Sequence, residues 1–482
     1  MTTTPRIPPT QLFINGQWRH ASADRRLEVI DPSTEKRIAE VADASVEDGL
    51  EAVAAASRAG KSFARIPGRE RAEMLRRCFE LMMRDKEYLA QLISYENGKS
   101  LADARGEVAY AAEFFRWFSE EAVRLNGQLG TAPGGANRIL VQYQPIGVAV
   151  LITPWNFPAA MATRKIAPAL AAGCTCVLKP ASETPLTAFA MAALMAEAGV
   201  PNGVVNIVTT SQPGPVIDAM LADARVRKLS FTGSTNVGRG LLRSAAGQVI
   251  SCSMELGGNA PFVVFDDADI DAAIEGAMIA KMRNGGEACT AANRFYVQRG
   301  VYDSFAKKLA DRMGAIKVGS GLDAATGCGP LITTKAVNKV SDLVDDAVGR
   351  GARVLTGGTR PEGKGYFYTP TVLADVPRDS KMLDEEIFGP VAPLVVFDTE
   401  EEAIDMANAT EYGLVAYVYT KDMARGLRVS EQIESGMVAL NRGLVSDPAA
   451  PFGGVKQSGL GREGAHEGIL EFCEAKYIAT NW

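Results

Sequence analysis

Histidine is scarce in this chain, and long hydrophobic runs are missing from it. His20 and His466 are its two histidines among 482 residues, so a nucleophile with a histidine base would have to use one of them. Because no stretch of about 18 apolar residues occurs, no membrane-spanning helix is expected. The first residues, MTTTPRIPPTQ, lack the apolar core of a signal peptide, so none is expected. We therefore expect any catalytic base to be a carboxylate.

Basic charge and cysteine are limited as well. Lysine and arginine number 51 against 57 aspartates and glutamates, which leaves a net charge of −6. Without a basic stripe, such a chain has no general affinity for nucleic acid or for an anionic membrane. The seven cysteines are an odd number spread thinly along the chain, which predicts reduced thiols in the cytoplasm rather than a disulfide scaffold. No cluster of zinc ligands appears either.

The length and the hydrophobic pattern predict two or three domains of mixed α/β structure. At roughly 150 residues per domain, the chain is too long for one domain. From residue 145 onward, short apolar runs alternate with helical stretches, which predicts a parallel sheet with helices on both faces. A second alternation begins after residue 255. Before these, the pattern indicates short strands within 11–41 and helices near 47–64, 69–95 and 105–125. In the α/β part, strands are expected at 148–152, 174–178, 204–208, 228–231, 261–265, 294–298, 353–355 and 393–397.

Three short segments have the residue types that cofactor binding and covalent catalysis require. Gly233-Ser-Thr-Asn-Val-Gly238 follows a predicted strand and opens a helix, where backbone N–H groups could hold a phosphate, although such a turn can also be structural. Glu255 stands in an apolar run, where a carboxylate costs free energy unless it has a partner or a role. Cys289 stands among glycines and polar residues, where a thiolate could be exposed and hydrogen-bonded, whereas most buried cysteines are inert.

Taken together, these and other segments resemble the aldehyde dehydrogenase superfamily, and within it the succinate-semialdehyde dehydrogenases. The resemblance covers nearly the whole chain and keeps the order of the motifs. The motifs are Pro154-Trp-Asn-Phe-Pro158, Lys179-Pro-Ala-Ser182, Phe231-Thr-Gly-Ser234, Glu255-Leu-Gly-Gly258, Cys289, Glu386-Ile-Phe-Gly-Pro390 and Pro451-Phe-Gly-Gly-Val-Lys456.

The resemblance implies the α/β fold of that superfamily. A Rossmann-like, doubly wound parallel sheet would form the cofactor domain from residues 1–125 and 146–254. A second α/β domain, residues 255–455, would carry the nucleophile. A small β oligomerisation element would comprise residues 126–145 and 456–482, so a homodimer or homotetramer is expected.

The resemblance also implies a covalent oxidation of an aldehyde to a carboxylic acid. Cys289 as a thiolate would attack the aldehyde carbon, while the Asn156 amide and the Cys289 N–H hold the oxyanion. Loss of hydride from the thiohemiacetal would leave a thioester, and Glu255 would act as general base for the water that hydrolyses it. No metal is needed for these steps.

The cofactor implied by the resemblance is NADP or NAD. Gly233, Ser234 and Gly238 would lie near its pyrophosphate, Glu386 near the nicotinamide ribose, and Phe388 near the nicotinamide. Trp155 would lie beside it or shape the loop before Asn156. Lys179 would reach the adenosine ribose. Ser182 stands where NAD-preferring relatives carry a glutamate, so its hydroxyl would donate to a 2′-phosphate, unless it only caps the following helix.

Arg164, Arg283 and Ser446 match the positions where succinate-semialdehyde dehydrogenases hold the distal carboxylate of the substrate. Arginine offers a planar fork for a carboxylate, and a hydroxyl adds a further donor. Glu287 and Ala288 replace the Gln-Thr that usually precedes the nucleophile, and Asp447 follows Ser446. A carboxylate there would raise the pKa of the thiol or repel an anionic substrate.

These departures leave alternatives open. The substrate could be glutarate semialdehyde or a larger oxo-acid, or a general aliphatic or aromatic aldehyde. A non-catalytic homologue is a further alternative, against which Cys289, Glu255 and Asn156 argue together.

Overall fold

The computed structural model describes residues 4–481 and contains four β-sheets flanked by helices. Among these residues, no helix combines the length and the apolar character that crossing a bilayer requires. The strands are β1 (Leu12–Ile14), β2 (Gln17–Arg19), β3 (Arg26–Asp31), β4 (Lys36–Ala42), β5 (Gln128–Thr131), β6 (Arg138–Pro145), β7 (Val148–Ile152), β8 (Thr175–Lys179), β9 (Val205–Ile207), β10 (Val226–Thr232), β11 (Ser251–Glu255), β12 (Ala260–Val264), β13 (Ala292–Gln298), β14 (Arg353–Thr356), β15 (Thr371–Ala374), β16 (Val391–Phe397), β17 (Val415–Tyr419), β18 (Met437–Leu440), β19 (Gly459–Leu460) and β20 (Cys473–Thr480).

The helices connect these strands and cover the faces of the two large sheets. The helices are α1 (Val46–Phe63), α2 (Gly68–Arg84), α3 (Lys86–Asn97), α4 (Leu101–Glu121), α5 (Pro158–Ala172), α6 (Leu186–Glu197), α7 (Pro213–Ala222), α8 (Thr235–Ala246), α9 (Ile270–Met282), α10 (Tyr302–Gly314), α11 (Thr334–Gly349), α12 (Lys381–Asp384), α13 (Glu400–Asn408), α14 (Met423–Gln432) and α15 (Glu467–Leu470). The single helix predicted over 69–95 is wrong: Asp85, with φ −98° and ψ 17°, ends α2 and precedes α3.

The first sheet has the order β19-β11-β10-β7-β8-β9-β1-β2. Its five central strands are parallel, whereas β19, β1 and β2 pair antiparallel. The chain runs from β7 outward to β9 and then returns to the other side of β7 with β10. This reversal opens a crevice at the carboxyl ends of β7 and β10, which is where doubly wound sheets bind ligands. The prediction of a doubly wound parallel sheet is confirmed.

The second large sheet has the order β14-β15-β16-β13-β12-β17-β18, and only β14 pairs antiparallel. Both large sheets bury hydrophobic side chains on each face. In β7, Ala149 and Leu151 belong to one buried cluster, and Val150 to another on the opposite face. This alternation follows from the two-residue period of a strand, and it explains why the strands read as continuous apolar runs.

A four-residue link, 256–259, joins the two large sheets. β11 ends at Glu255 at the carboxyl edge of the first sheet, and β12 begins at Ala260 at the amino edge of the second. The amino edge of β13 lies beside that of β12. The link therefore sets the carboxyl edge of one sheet against the amino edge of the other.

A third, antiparallel sheet has the order β20-β6-β5, with β6 paired along all of β20. The two segments predicted to mediate oligomerisation thus pair within one chain. Leu129 of β5 and Tyr477 of β20 are 65% and 57% exposed. The sheet leaves β20 as an edge strand with large apolar side chains at the surface.

Candidate active site

A cavity of about 540 Å³ lies where the two large sheets face each other. Its walls come from the loops after β7 and β10, the loop before β13, and the start of α11. Ten of the fourteen predicted site residues line it: Trp155, Asn156, Arg164, Gly233, Ser234, Arg283, Cys289, Glu386, Phe388 and Ser446. The other four, Lys179, Ser182, Gly238 and Glu255, are not part of its lining.

The loop before β13 carries the predicted nucleophile Cys289, and we call residues 283–291 the nucleophile loop. It has a tight backbone that presents Cys289 to this cavity. Asn284, Gly285 and Gly286 all have positive φ, at 53°, 59° and 80°. A Cβ on Gly286 would lie 2.2 Å from the Gly389 carbonyl oxygen, and one on Gly258 would lie 2.5 Å from the Cys289 carbonyl oxygen. Only glycine fits at these two positions. The chain is therefore closely packed on both sides of the partly exposed Cys289.

The electrostatic surroundings of Cys289 oppose its ionisation in the free protein. Burial raises the pKa of its thiol to about 12. Arg164 and Arg283 act against this rise, whereas Glu386 and Glu255 add to it. Since the thiolate is the nucleophilic form, attack requires these two cations or a bound ligand to offset the burial.

Glu255 is a buried carboxyl, 2% exposed, at the end of β11. Neither of its carboxylate oxygens has a hydrogen-bond partner among the residues that the structure describes. Burial, reinforced by the negative charge of Glu463, raises the pKa of Glu255 well above its ordinary value. A carboxyl with a raised pKa and unused oxygens is suited to accepting a proton from water.

A buried charge network beside Glu255 was not predicted from the sequence. Arg164 Nε and Lys165 Nζ each lie 2.5 Å from a carboxylate oxygen of Glu463, and Lys165 Nζ donates to Ser230 Oγ at 3.0 Å. Burial alone would raise the pKa of Glu463, but the two cations hold it below its ordinary value. In the sequence, Glu463 stands near glycines like other glutamates of the chain, and no pattern around it indicates that Arg164 and Lys165 are its partners.

Asn156 is held against the nucleophile loop. Its Nδ2 donates to the Glu287 carbonyl oxygen at 3.0 Å, and Asn284 Nδ2 donates to the Asn156 carbonyl oxygen at 2.9 Å. The amide of Asn156 uses one of its two N–H hydrogens in this contact. The second is left for a ligand in the cavity that Asn156 lines.

The Glu287 side chain does not line the cavity. Its carboxyl is 2% exposed and accepts a hydrogen bond from the Ile332 N–H at 3.2 Å. Burial raises its pKa well above its ordinary value. The charges that act most on Cys289 are those of Arg164, Glu386, Glu255 and Arg283. The repulsion expected from the sequence at Glu287 is therefore small, because this carboxyl does not line the cavity and is not among those charges.

One end of the cavity has the features of a dinucleotide site. Gly233 and Ser234 lie at the start of α8, where Ser234 as N-cap makes no side-chain cap, so N–H groups remain for a phosphate. Burial raises the pKa of Glu386 to about 7, and its Oε1 accepts from the Gly258 N–H at 3.2 Å. Trp155 and Phe388 pack edge to face, with ring centroids 5.4 Å apart. These residues fit a nicotinamide dinucleotide.

Lys179 and Ser182, predicted to meet the adenosine ribose, lie just outside the cavity lining. Lys179 is 8% exposed, and burial lowers its pKa against the opposing charge of Glu183. The Ser182 hydroxyl donates to the Thr210 carbonyl oxygen at 3.0 Å. The capping role considered for Ser182 is wrong, because Glu96 accepts from the first amides of α6 instead. Glu183, which no sequence motif indicated as a site residue, is exposed and lines the cavity.

The two predicted substrate arginines differ in their charge partners. Arg164 forms an ion pair with Glu463 and lies over the Phe452 ring at 4.1 Å. Arg283 Nη1 donates to Ser446 Oγ at 3.3 Å, and its guanidinium lies 4.8 Å from the Phe157 ring. Within residues 4–481, Arg283 makes no ion pair with a carboxylate. Its charge is therefore left for an anionic ligand, next to Ser446 and in the cavity that Cys289 also lines.

Comparisons with known proteins agree with this geometry. The model of the aldehyde dehydrogenase family matches residues 18–478. A succinate-semialdehyde dehydrogenase of Paenarthrobacter nicotinovorans is 58% identical over 441 residues, covering 92% of this chain and 98% of that protein. A glutarate-semialdehyde dehydrogenase of Pseudomonas putida is 51% identical over 473 residues, covering 98% of both. The crystal structure of an NADP-dependent enzyme of E. coli superposes with a TM-score of 0.97 at 48% identity, covering 98% of both chains. Motif order, sheet topology and full-length similarity coincide, and the chain belongs to the aldehyde dehydrogenase family.

Proposed function

We propose that this protein oxidises succinate semialdehyde to succinate with NADP⁺ or NAD⁺. The observation that carries the proposal is Arg283, which faces the same cavity as Cys289, donates to Ser446 and lacks a carboxylate partner among the described residues. A half-buried guanidinium without a counter-charge favours an anionic ligand. The names of two relatives, which act on succinate and glutarate semialdehydes, support a substrate with a distal carboxylate.

The reaction uses three groups of the chain in sequence. Cys289 Sγ, as thiolate, bonds to the aldehyde carbon, and the resulting oxyanion accepts from the Asn156 amide and the Cys289 N–H. The nicotinamide, when bound, supplies the acceptor for the hydride that leaves this carbon. Loss of the hydride leaves a thioester on Cys289. Glu255 then takes a proton from a water molecule while the oxygen of that water bonds to the thioester carbon, and the C–S bond breaks to release the acid.

Gly233, Ser234 and Gly238 would hold the pyrophosphate of the cofactor, and Glu386 its nicotinamide ribose. The E. coli structure described as NADP-dependent supports NADP⁺. In this chain, however, the Ser182 hydrogen is already donated to Thr210 and Glu183 stands nearby in the cavity. We therefore keep both cofactors in the proposal.

A panel of aldehydes tests the proposal directly. We expect kcat/KM for succinate semialdehyde to exceed that for butanal by at least about tenfold, or about 1.4 kcal/mol, with either cofactor. Glutarate semialdehyde is one methylene longer, so the ratio of its kcat/KM to that of succinate semialdehyde reports which distance between the aldehyde carbon and the carboxylate the cavity accepts. Equal efficiency on butanal and on both semialdehydes would refute the assignment of Arg283 and Ser446 to the substrate.

We also propose that the protein forms a dimer or a pair of dimers in the cytoplasm. The exposed apolar side chains of β5 and β20, and the free edge of β20, support an interface there. The seven cysteines are free thiols, which suits a reducing compartment. Light scattering at micromolar concentration tests the assembly, and a monomer there would count against it.

A further inference from the structure

The loop that carries Asn156 is held by side chains of one segment, residues 97–107, that lie outside the cavity lining. Asn97 Nδ2 donates to the Trp155 carbonyl oxygen at 3.1 Å, and Lys99 Nζ donates to the Asn156 carbonyl oxygen at 2.6 Å. Two consecutive carbonyls of the loop are therefore fixed by two side chains of this segment. Neither side chain lines the cavity, so neither is placed to touch the substrate.

Lys99 is locked in place by a buried carboxylate. The side chains of Lys99 and Glu107 are both fully buried, and Lys99 Nζ lies 2.6 Å from Glu107 Oε2. The other oxygen of Glu107 accepts from the N–H groups of Ala159 and Ala160, at 2.9 and 3.3 Å. These amides open α5, whose own N-cap residue, Phe157, provides no side-chain cap. Glu107 thus replaces the missing cap and also fixes Lys99.

The same contacts extend to the nucleophile loop. The Asn156 carbonyl oxygen accepts from both Lys99 Nζ and Asn284 Nδ2. The Glu287 carbonyl oxygen, two residues before the nucleophile, accepts from Asn284 Nδ2 and from Asn156 Nδ2. The peptide and the side chain of Asn156 are therefore both fixed relative to the chain that leads to Cys289. Lys99 also lies 4.1 Å from the Phe157 ring, which fixes the next residue of the loop.

We propose that Lys99, held by Glu107, is a positioning residue that sets the direction of the Asn156 amide toward the oxyanion. This inference rests on the proposed role of Asn156 and adds residues that the seven sequence motifs do not include. The physical reason is that oxyanion stabilisation depends on donor placement within a fraction of an ångström. A charged donor on the Asn156 carbonyl provides that placement without touching the substrate.

The test is a double-mutant cycle between Lys99 and Asn156. We expect K99M to lower kcat at least about tenfold, and by no more than the roughly 10²–10³-fold that complete loss of one oxyanion donor causes, while the Kd for NADP⁺ stays unchanged. In the N156A background, K99M should cause little further loss, because the amide it directs is absent. K99R keeps a cationic donor and should recover most of kcat.

Because K99M leaves Glu107 buried without its counter-charge, the doubly neutral K99M/E107Q variant serves as the second measurement and should show the same loss. The matched control is K228M, which removes a different fully buried lysine, paired with Glu471 at 2.9 Å and outside the cavity lining. Its kcat should equal that of the wild type even where its unfolding temperature falls.

Four outcomes would overturn the positioning role. One is a loss of kcat in K99M that is equally large with and without Asn156. The second is a K228M loss as large as that of K99M, since general destabilisation would then explain both. The third is wild-type turnover by N156A, which removes Asn156 from the proposed mechanism and Lys99 with it. Wild-type kcat in K99M beside an impaired N156A refutes only the role of Lys99.

Discussion

Replacing Arg283 with alanine isolates the part of the substrate that the cavity recognises. The guanidinium is half-buried, donates to Ser446 Oγ at 3.3 Å and lies beside the Phe157 ring. A hydrogen bond to a charged group contributes about 1.5–3 kcal/mol in such a setting. Its loss should therefore lower kcat/KM for succinate semialdehyde by about 10- to 150-fold. Butanal, which has no carboxylate, should lose far less.

The assay follows the absorbance of the reduced cofactor over a range of both aldehydes, with the cofactor at saturation. R283M is a useful companion because it keeps an unbranched side chain against Phe157 but removes the charge. S446A removes the partner hydroxyl and should show a smaller loss in the same direction. If the effect lies in ground-state binding, it appears in KM for the acid with kcat nearly unchanged.

Equal losses on succinate semialdehyde and butanal would refute this reasoning, because they would show that Arg283 supports the cavity wall instead of the carboxylate. A larger selective loss in an Arg164 variant than in R283A would also contradict it. The ion pair between Arg164 and Glu463 predicts the opposite order.

Four further predictions concern the nucleophile, the base and the cofactor site. C289A should abolish dehydrogenase turnover while the Kd for NADP⁺, from fluorescence quenching, stays close to wild type; substantial residual turnover would contradict the covalent mechanism. E255Q should still produce a pre-steady-state burst of reduced cofactor and then stall at the thioester, whereas normal steady-state turnover would remove Glu255 from the mechanism. Burial raises the pKa of Glu386 to about 7, so the carboxylate that accepts from ribose hydroxyls forms as the pH rises through this value; cofactor affinity measured by calorimetry should tighten from pH 6 to 8 in the wild type, and a tightening of the same size in E386Q would refute the assignment. E183Q should raise kcat/KM for NADP⁺ relative to NAD⁺, because a carboxylate repels a 2′-phosphate; an unchanged ratio would place Glu183 away from the adenosine ribose.

The parts of the fold that sequence periodicity predicted are those where one pattern dominates. β7 was expected at 148–152 and forms there, since an uninterrupted apolar run between turns leaves few alternatives. The break at Asp85 was missed because the helical pattern of buried residues continues across it, and aspartate is tolerated within a helix. The pairing of β20 with β6 could not be predicted from the periodicity of either segment, because it joins residues more than 300 positions apart.

At the site, the motifs predicted which side chains gather but not the state of each one. Cys289, Asn156 and Arg283 were expected at one cavity and all three line it. The direction of the Glu287 carboxyl was not predictable, since a residue beside a nucleophile can turn toward the cavity or away from it. Lys99 and Glu463 were missed because each acts through a partner distant in sequence. Long-range ion pairs leave no periodic signal along the chain.

The short link between the two large sheets limits how this protein can exchange parts with its relatives. The link 256–259 follows Glu255, the proposed base, at the end of one sheet and brings Gly258 against the Cys289 backbone of the other. A chimera joined within this link would combine a base from one parent with a nucleophile loop from another across a contact that tolerates no added methyl group. Recombination of this protein should therefore succeed at crossovers in exposed loops. It should fail at the boundary between its two large sheets, although a domain boundary is the usual choice for joining two parents.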